Sequence, residues 1–380
     1  MTVAEATLLY TPLHALHLAR GGRMTAFAGY EMPLQYAPGI LAEHLHTRAA
    51  AGLFDVSHMG QIELRPRSGD VLDAALALEG LVPADIAALG VGRQKYGLLT
   101  NTEGGILDDL MIANLGDRLL LVVNAACKAA DLAHLEAHLS RTCSVEALED
   151  RALVALQGPA AEAALARLAP AVADMRFLDV REVELLGAAC TVSRSAYTGE
   201  DGFEIGLAAD RALDLARALL EAPGVLPVGL GARDSLRLEA GLCLYGSDLS
   251  SSTTPVEAAL EWTIQKTRRP GGARAGGYPG AAIIGGQLAS GAARRRVGLR
   301  PQGRAPVRAG ARLFASEQAP EPIGSVTSGC FGPSLNAPVA MGYVDVGHSR
   351  VGDGLFAEVR GARLPVVVAP TPFVPNTYRR

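Results

Sequence analysis

Charged and aromatic side chains are scarce in this chain of 380 residues. Charged residues make up 19% of it and aromatic residues 5%, and 35 Lys and Arg against 39 Asp and Glu give a net charge of −4. Such a chain has no overall positive field to hold a polyanion, so we expect no nucleic-acid partner. With 49% apolar residues, it is too hydrophobic for a disordered protein and is predicted to be globular.

Long hydrophobic runs and cysteine pairs are missing as well. No uninterrupted apolar stretch approaches the roughly 18 to 20 residues of a membrane-spanning helix, so no membrane association is expected. The five cysteines are odd in number, widely separated and without a C-x-x-C pair, which fits neither a disulfide framework nor a zinc ribbon. The first ten residues lack the basic and apolar segments of a signal peptide. These absences predict a soluble cytoplasmic protein without a metal site.

Glycine and proline, by contrast, are abundant. The 43 Gly and 22 Pro indicate many turns rather than a helical bundle. Apolar β-branched runs at residues 119–124 and 153–156 predict buried strands, and three-and-four spacing of apolar residues predicts helices at 127–139 and 208–220. This mixture indicates an α+β fold.

A different pattern follows a glycine-rich break. Residues 267–280 interrupt all periodicity with arginines, a proline and paired glycines, and we predict a linker there. Beyond the break, turn residues separate short apolar runs at residues 297–300, 311–314, 323–327, 339–346, 356–359 and 364–368. Such spacing predicts a small antiparallel barrel or sandwich.

The common catalytic motifs do not occur. The sequence has neither a phosphate-binding P-loop nor a G-x-S-x-G motif, and the helical pair His134 and His138 lacks the glutamate of a zincin. Residues 229–234 begin like a dinucleotide fingerprint, but Asp234 stands where the third glycine should be. Polar residues instead cluster in glycine-rich segments at residues 102–109, 195–205 and 231–234.

The first of these segments carries the adjacent pair Asp108 and Asp109 into an apolar stretch. Adjacent side chains of a strand point to opposite faces, so one carboxylate can enter a pocket while its neighbour caps the turn or faces water. A hairpin with two solvated carboxylates explains the same residues equally well.

The other two segments carry Glu204 and Arg233. Glu204 alternates with apolar neighbours along a predicted strand, where its carboxylate can accept paired hydrogen bonds from an amidine-like edge. An exposed glutamate on an edge strand is the alternative. Arg233, at the start of a predicted helix, can bind a carboxylate or oxo group, or it can form a structural pair with Asp234.

Six short motifs occur together and in order. They are FDVSHMG at 54–60, TEGGILDD at 102–109, QGP at 157–159, YTGEDGFE at 197–204, GLGARD at 229–234 and TSG at 327–329. Each motif alone is weak. With all six in register, the chain resembles the aminomethyltransferase (T-protein) family of the glycine cleavage system from about residue 11 to residue 378.

The resemblance implies a one-carbon transfer that depends on tetrahydrofolate. In this family, an aminomethyl group carried on the lipoyl sulfur of H-protein passes to tetrahydrofolate, ammonia leaves, and 5,10-methylenetetrahydrofolate forms. The implied partners are therefore lipoylated H-protein and a small-molecule folate. The implied fold is a three-domain cloverleaf around a central folate pocket, with a small antiparallel β-barrel as the last domain.

The resemblance also implies a set of site residues and a domain division. The family's catalytic aspartate falls on Asp109, where an anion stabilises an iminium-like carbon while a folate nitrogen loses its proton. The folate-binding positions fall on Glu204, Arg233, Tyr96, Tyr197, Tyr378 and Met59. The division predicts a catalytic region at 1–266 (two interleaved α+β domains, roughly 1–50 with 145–266, and 51–144), a linker at 267–280 and a barrel domain at 281–380.

One departure and two alternative functions accompany this resemblance. Ala113 stands where many members carry Tyr or Thr, which removes a polar group from the pocket. A related tetrahydrofolate-dependent demethylase would act on a sulfonium or methylamine donor, and a folate-binding or iron–sulfur assembly module would lack transfer chemistry. The presence of Asp109, Glu204 and Arg233 together argues against the second alternative.

A basic run at residues 294–296, with Arg300 close behind, is the densest in the chain. It predicts a docking surface for an acidic H-protein, because local charge complementarity steers protein encounters. A solvated strand end is the alternative.

Overall fold

The structure is a computed structural model that describes residues 7–380. Its α-helices are α1 (His14–Ala19), α2 (Gly39–Ala49), α3 (Val71–Leu78), α4 (Lys128–Leu139), α5 (Ala161–Ala166), α6 (Ala212–Leu220), α7 (Leu230–Glu239) and α8 (Ala281–Ser290). Short 3-10 helices lie at Pro170–Asp174, Ala209–Arg211, Glu261–Thr263, Lys266–Arg268 and Val346–His348. No helix within residues 7–380 combines the length and the apolar character needed to cross a membrane.

The strands fall into three groups along the chain. The first are β1 (Arg23–Phe27), β2 (Tyr30–Gln35), β3 (Ala51–Asp55), β4 (Gly60–Pro66), β5 (Arg93–Thr100), β6 (Ile106–Asn114), β7 (Leu119–Val123) and β8 (Cys143–Ala147). Next come β9 (Arg151–Gln157), β10 (Val180–Leu185), β11 (Ala188–Ser193), β12 (Gly202–Ala208) and β13 (Val225–Pro227). The last are β14 (Arg294–Pro301), β15 (Arg312–Phe314), β16 (Gly324–Gly332), β17 (Ala337–Asp345), β18 (Gly354–Val359) and β19 (Ala362–Ala369).

These strands form two large sheets, a closed barrel and the β1–β2 hairpin. The six-stranded sheet has the order β10-β11-β12-β9-β3-β13, and the five-stranded sheet has the order β5-β6-β7-β4-β8. The barrel has the order β14-β17-β16-β15-β18-β19, with every pairing antiparallel. The α+β fold and the C-terminal antiparallel barrel predicted from the sequence are confirmed.

The centre of the six-stranded sheet is buried on both faces. Along β9, Ala152, Val154 and Leu156 pack into one apolar cluster, while Leu153 and Ala155 pack into another on the opposite face. A strand covered on both sides has no solvent face, and this explains its nearly continuous apolar sequence. β12 lies between β11 and β9 inside this sheet, so its side chains are held by neighbours on both edges.

The five-stranded sheet shows the alternation that places the aspartate pair. Along β6, Ile106, Asp108 and Leu110 are buried, whereas Asp109 and Met111 on the other face are partly exposed. Side chains alternate in a strand with a period of two, so the pleat alone separates the two carboxylates. One carboxylate belongs to the interior and the other to a cleft.

Helix α7 joins this region to the barrel. Gly229 precedes the helix, and a Cβ atom there would lie 2.4 Å from the backbone oxygen of Leu34, so a close chain approach requires glycine at this position. On the barrel side of the helix, Arg237 donates to Asp248 (2.6 Å) and to Ser328 of β16 (2.9 Å). These contacts hold the barrel against the helix whose first turn carries Arg233.

The glycine-rich segment predicted as a linker is packed against the chain. Arg268 is 5% exposed; its Nη2 donates to the backbone oxygen of Glu79 (2.7 Å), and its Nη1 lies 3.2 Å from the carboxylate of that residue. Arg274 pairs with Glu79 (3.1 Å) and with Asp85. Arg268 and Arg274 therefore hold this segment against Glu79 and Asp85.

The proposed domain boundaries remain a prediction, but one of them differs from the observed sheets. The rough division begins its second domain at residue 51, whereas β3 pairs with β9 and β13 in the six-stranded sheet. The cause is burial, because all five residues of β3 are buried and a strand of this kind needs a partner on each edge. Helix α8 also lies between the linker and the first barrel strand.

Candidate active site

The predicted catalytic residue, Asp109, lies in a cleft, where two side chains donate hydrogen bonds to its carboxylate. The Tyr96 hydroxyl donates to its Oδ2 (3.0 Å), and the Asn124 amide donates to its Oδ1 (3.0 Å). Asp108 points away, is 0% exposed, and accepts hydrogen bonds from the backbone and side-chain nitrogens of Asn124 (3.0 and 2.8 Å). The two carboxylates thus occupy opposite faces, as the strand pattern predicts.

No cation within residues 7–380 forms an ion pair with either carboxylate of this pair. Burial, and then the charge of Asp108, raises the pKa of Asp109 to about 7. Hydrogen bonds from Tyr96 and Asn124 act in the opposite direction and limit this rise. A carboxyl group of this kind exists in both protonation states near neutral pH, as proton transfer during catalysis requires.

Trp262 lies at the edge of this cleft and was not found from the sequence. Its ring stacks on Tyr96 with centroids 5.6 Å apart and an angle of 22° between the planes. It is 61% exposed, which is unusual for so large an apolar side chain. The available signal was composition, because Trp262 is the single tryptophan of the chain.

Glu204 and Arg233 face each other across another part of the cleft without forming an ion pair. Glu204 is partly exposed on β12 and contacts the hydroxyl of Ser195 at 3.4 Å. Arg233 stacks its guanidinium on the ring of Tyr197 (4.8 Å to the centroid), and its buried Nη1 has no hydrogen-bond partner. Because β12 is an interior strand and Asp234 contacts Arg237 instead, neither structural alternative for these residues applies.

Burial dominates the electrostatics of this pair. It raises the pKa of Glu204, against the effect of the Arg233 charge, and it lowers the pKa of Arg233, against the effect of Glu204 and Tyr197. Burial also raises the pKa of Tyr197, whose charged neighbours include Asp109 as well as Arg233. Asp109, Tyr96, Tyr197, Arg233 and Glu204 therefore form one group of neighbouring side chains, deeply set yet each partly exposed, and this group is the candidate cleft.

The family model described as the GCVT N-terminal domain matches residues 13–268, and the model of the glycine cleavage T-protein C-terminal barrel domain matches residues 294–375. The chain belongs to the glycine cleavage T-protein family. The resemblance seen in the six sequence motifs is confirmed.

Proteins with similar sequences or structures match this chain over nearly its full length. The mitochondrial aminomethyltransferase of Gallus gallus is 46% identical, covering 100% of this chain and 95% of that protein, and the Homo sapiens protein is 45% identical, covering 100% and 93%. The crystal structure of the glycine cleavage system aminomethyltransferase T from Bartonella henselae matches with a TM-score of 0.91 and 46% identity, covering 98% of this chain and 100% of that one.

The names of the relatives correct one prediction. The Gallus gallus and Homo sapiens proteins, like that of Dictyostelium discoideum, which is 41% identical, are named mitochondrial. The prediction of a cytoplasmic location is therefore wrong. Its basis was an odd set of separated cysteines, and unpaired thiols indicate a reducing environment without distinguishing one reducing compartment from another.

Two predicted folate-binding residues lie away from the Asp109 contacts described above. Tyr378 stacks on Phe177 with centroids 4.2 Å apart, and its neighbour Thr377 donates its backbone N–H to Gly199. The C-terminal segment therefore covers the loop that carries Tyr197. Met59 is partly buried against the apolar cluster beside α7. Their roles toward folate remain predictions.

Ala113 is buried beside this cleft rather than in contact with Asp109. It is 4% exposed and lines a small internal cavity that Glu204, Met111 and Gln94 also line. The amide nitrogen of Gln94 is buried there without a hydrogen-bond partner. The departure noted in the sequence thus coincides with an internal space behind the cleft.

The basic run does not form the free docking surface predicted for it. Arg296 is 8% exposed and donates to the backbone oxygen of Ala258 (2.8 Å). Arg294 pairs with Glu257 (3.1 Å) and Arg295 with Glu261 (2.7 Å). The sequence does not reveal these contacts, because the carboxylates that pair with Arg294 and Arg295 are more than thirty residues away in sequence. Docking of H-protein at this run stays a prediction.

His134 and His138 also form no metal site. Their rings are in contact, with centroids 4.5 Å apart, and His138 Nδ1 contacts the backbone oxygen of His134. Within residues 7–380, no group of three or more His, Cys, Asp and Glu side chains is arranged to hold a metal ion.

Proposed function

We propose that this member of the T-protein family binds tetrahydrofolate between Glu204 and Asp109 and transfers an aminomethyl group to it at Asp109. The strongest support for this proposal is that the charged side chains of the cleft lack ion-pair partners. Asp109, Glu204 and Arg233 are deeply set, yet none has an ion-pair partner within residues 7–380. Deeply set charges without partners are costly in a folded protein. A ligand with matching polar groups would supply the missing hydrogen-bond and ion-pair partners.

Glu204 fits the donor edge of a pterin. An ionised carboxylate accepts hydrogen bonds on both oxygens, and it binds most strongly to a planar edge with two adjacent N–H donors. The single long contact from Ser195 (3.4 Å) leaves most of this acceptor capacity free. The nearby Arg233 charge favours the ionised form of the carboxylate.

Arg233 supplies the complementary donors. Its stacking on Tyr197 fixes the plane of the guanidinium, while the unpartnered Nη1 can donate to a carbonyl or carboxylate oxygen of a ligand. Tyr197 is held in turn, because its hydroxyl donates to the backbone oxygen of Cys243. The aromatic ring is therefore a fixed wall of the cleft.

Asp109 carries the transfer chemistry in this proposal. Tetrahydrofolate supplies the nitrogens that receive the carbon. In its ionised form, Asp109 stabilises positive charge that develops on the carbon, because the site is largely shielded from water. With a pKa of about 7, it can also accept a proton at neutral pH, and Tyr96 and Asn124 fix the direction of its oxygens.

We further propose lipoylated H-protein as the donor. The relatives are named aminomethyltransferases, and this favours an aminomethyl donor over the sulfonium or methylamine donor of a demethylase. In the basic run at 294–296, Arg296 is buried, and Arg294 and Arg295 are partly exposed but already paired with carboxylates. The run therefore offers no exposed, unpaired charge for this docking.

Product formation tests the proposal. The purified protein is mixed with tetrahydrofolate and either aminomethylated H-protein or a small sulfonium or methylamine donor. Methylenetetrahydrofolate and ammonia are quantified, together with the methyltetrahydrofolate that transfer of an intact methyl group would give. Both products should form in equal amounts with H-protein and neither with the small donors. Activity with the small donors alone would favour the demethylase, and folate binding without any transfer would contradict enzymatic function.

A further inference from the structure

Two buried carboxyl groups, those of Asp108 and Asp131, lie behind the cleft next to Asp109, the one that the proposed transfer uses. Asp131, in the first turn of α4, is 3% exposed, and its side chain hydrogen-bonds with that of Asp108. Asp108 is adjacent to Asp109 on β6. None of the three forms an ion pair with a Lys, Arg or His of the described chain, residues 7–380.

The donors around these groups are distributed unequally. Asp108 accepts hydrogen bonds from the backbone and side-chain nitrogens of Asn124. The Oδ2 atom of Asp131 is buried and accepts none. The other titratable groups that face Asp131 are the Cys127 thiol, which also lies near Asp108, and Tyr245, whose hydroxyl donates to the backbone oxygen of Ile106.

Two carboxyl groups in hydrogen-bond contact cannot both be ionised, because one of them must supply the hydrogen. N–H donors stabilise the charged form of a carboxyl group, so the charge belongs on Asp108. The proton belongs on Asp131, which lacks such donors. Burial, and then the charge of Asp108, raises the pKa of Asp131 to about 9.

We propose that Asp131 is a positioning residue that remains protonated and donates its hydrogen to Asp108. Asp108 then has three donors, two from Asn124 and one from Asp131. Its charge is spread over these bonds instead of acting fully on Asp109. Asp131 thereby limits the repulsion that raises the proton affinity of the reacting carboxylate, although it does not touch the cleft itself.

Replacement by asparagine separates this role from a simple structural one. The amide of Asp131→Asn donates to Asp108 from the same place and cannot ionise, whereas Asp131→Ala removes the donor.

For the wild type, the unfolded chain ionises the carboxyl group of Asp131 from near pH 4 and the folded chain only near pH 9. The stabilising effect of the native proton is complete below pH 4 and is lost as the pH rises to 9.

The first measurement is therefore urea unfolding of the full chain between pH 4 and pH 9, without any substrate. Asp131→Asn should have a higher unfolding midpoint than the wild type at pH 8, and the difference should shrink toward pH 4. A lower midpoint for Asp131→Asn at pH 8 would overturn the proposal, because it would mean that the native group is ionised.

The second measurement rests on the proposed function and uses the pH dependence of single-turnover transfer. The rate of the Asp131→Asn variant should keep the acid limb near pH 7. That of Asp131→Ala should shift this limb to higher pH, because Asp108 then repels Asp109 more strongly. Equal shifts in both variants would contradict the proposed donor role. Loss of transfer in the wild type would contradict the proposed function while leaving the unfolding result intact.

Discussion

Two arginines on one helix have opposite environments. Arg237 of α7 faces the barrel, is 2% exposed, and donates to Asp234, Asp248, Ser328 and the backbone oxygen of Leu242. Arg233, one turn earlier, faces the cleft with a buried Nη1 that has no partner. Burial lowers the pKa of both arginines, but Tyr197, Asp248 and Asp234 outweigh it at Arg237 and raise that pKa, whereas at Arg233 burial prevails.

Arg237 therefore stabilises the fold, whereas Arg233 remains available to bind a ligand. A buried charge with several fixed partners joins two parts of the chain, and removal of one partner leaves the other uncompensated. A deeply set charge without partners does not stabilise the fold and costs desolvation free energy instead. The same contrast exists between the carboxylates, because Asp248 is fully paired and Asp109 has no cation.

Loss of the paired carboxylate should have the largest effect. Asp248→Asn leaves Arg237 buried beside a neutral amide, and we expect a loss of about 3–5 kcal/mol of unfolding free energy. Urea unfolding followed by circular dichroism measures it. The control is Asp234→Asn, whose side chain is 52% exposed and whose loss should cost at most about 1 kcal/mol. Equal losses would remove the distinction between buried and exposed partners.

Loss of the unpaired carboxylate should affect the reaction instead. Asp109→Asn keeps the size of the side chain but removes the anion, and transfer should slow by about 10²–10³-fold. Folate affinity and unfolding midpoint should remain near those of the wild type. Asp108→Asn is the matched neighbour and should slow transfer much less. Equal slowing by both variants would contradict the assignment of the two strand faces.

Glu204→Gln should weaken folate binding rather than folding. The amide keeps one acceptor but turns an NH₂ group toward the second ligand donor, a mismatch of about 1–3 kcal/mol. Isothermal titration with tetrahydrofolate measures the change. Glu184→Gln, on the exposed side of β10, is the control and should bind normally. An unchanged affinity for Glu204→Gln would make Glu204 a structural residue.

Loss of the exposed ring at the cleft edge should have the smallest effect. Trp262→Leu removes the stack on Tyr96, which is worth about 0.5–1.5 kcal/mol, and the same titration should show folate affinity weakened to a similar extent. Trp262→Phe keeps an aromatic partner and should bind nearly as well as the wild type. If both variants bind equally well, the ring has no role in ordering Tyr96.

Local patterns predicted those parts of this site that depend on a single element. The period of two in β6 separated Asp108 from Asp109, and the motif beginning at Gly229 placed Arg233 at the start of a helix. The barrel strands were visible as short apolar runs between turns because closure fixes their spacing. In each case, the information lies within about ten neighbouring residues.

Contacts between distant segments could not be predicted in this way. The stack of Trp262 on Tyr96 joins residues far apart in sequence, and nothing near Trp262 indicates it. The sequence around Arg296 indicates an exposed basic residue, but in the folded chain Arg296 donates to the backbone oxygen of Ala258. Asp131 lies on a helix and is buried beside Asp108, more than twenty residues away in sequence. Pairwise burial of this kind is a property of the tertiary structure.

The most direct test compares the two arginines in one experiment. Folate affinity and unfolding free energy are measured for Arg233→Leu and Arg237→Leu, which remove the same side chain one helical turn apart. Arg233→Leu should lose folate binding and unfold at the same or a higher urea concentration than the wild type. Arg237→Leu should be several kcal/mol less stable and still bind folate when folded. The account is contradicted if Arg233→Leu loses as much stability as Arg237→Leu and binds folate normally.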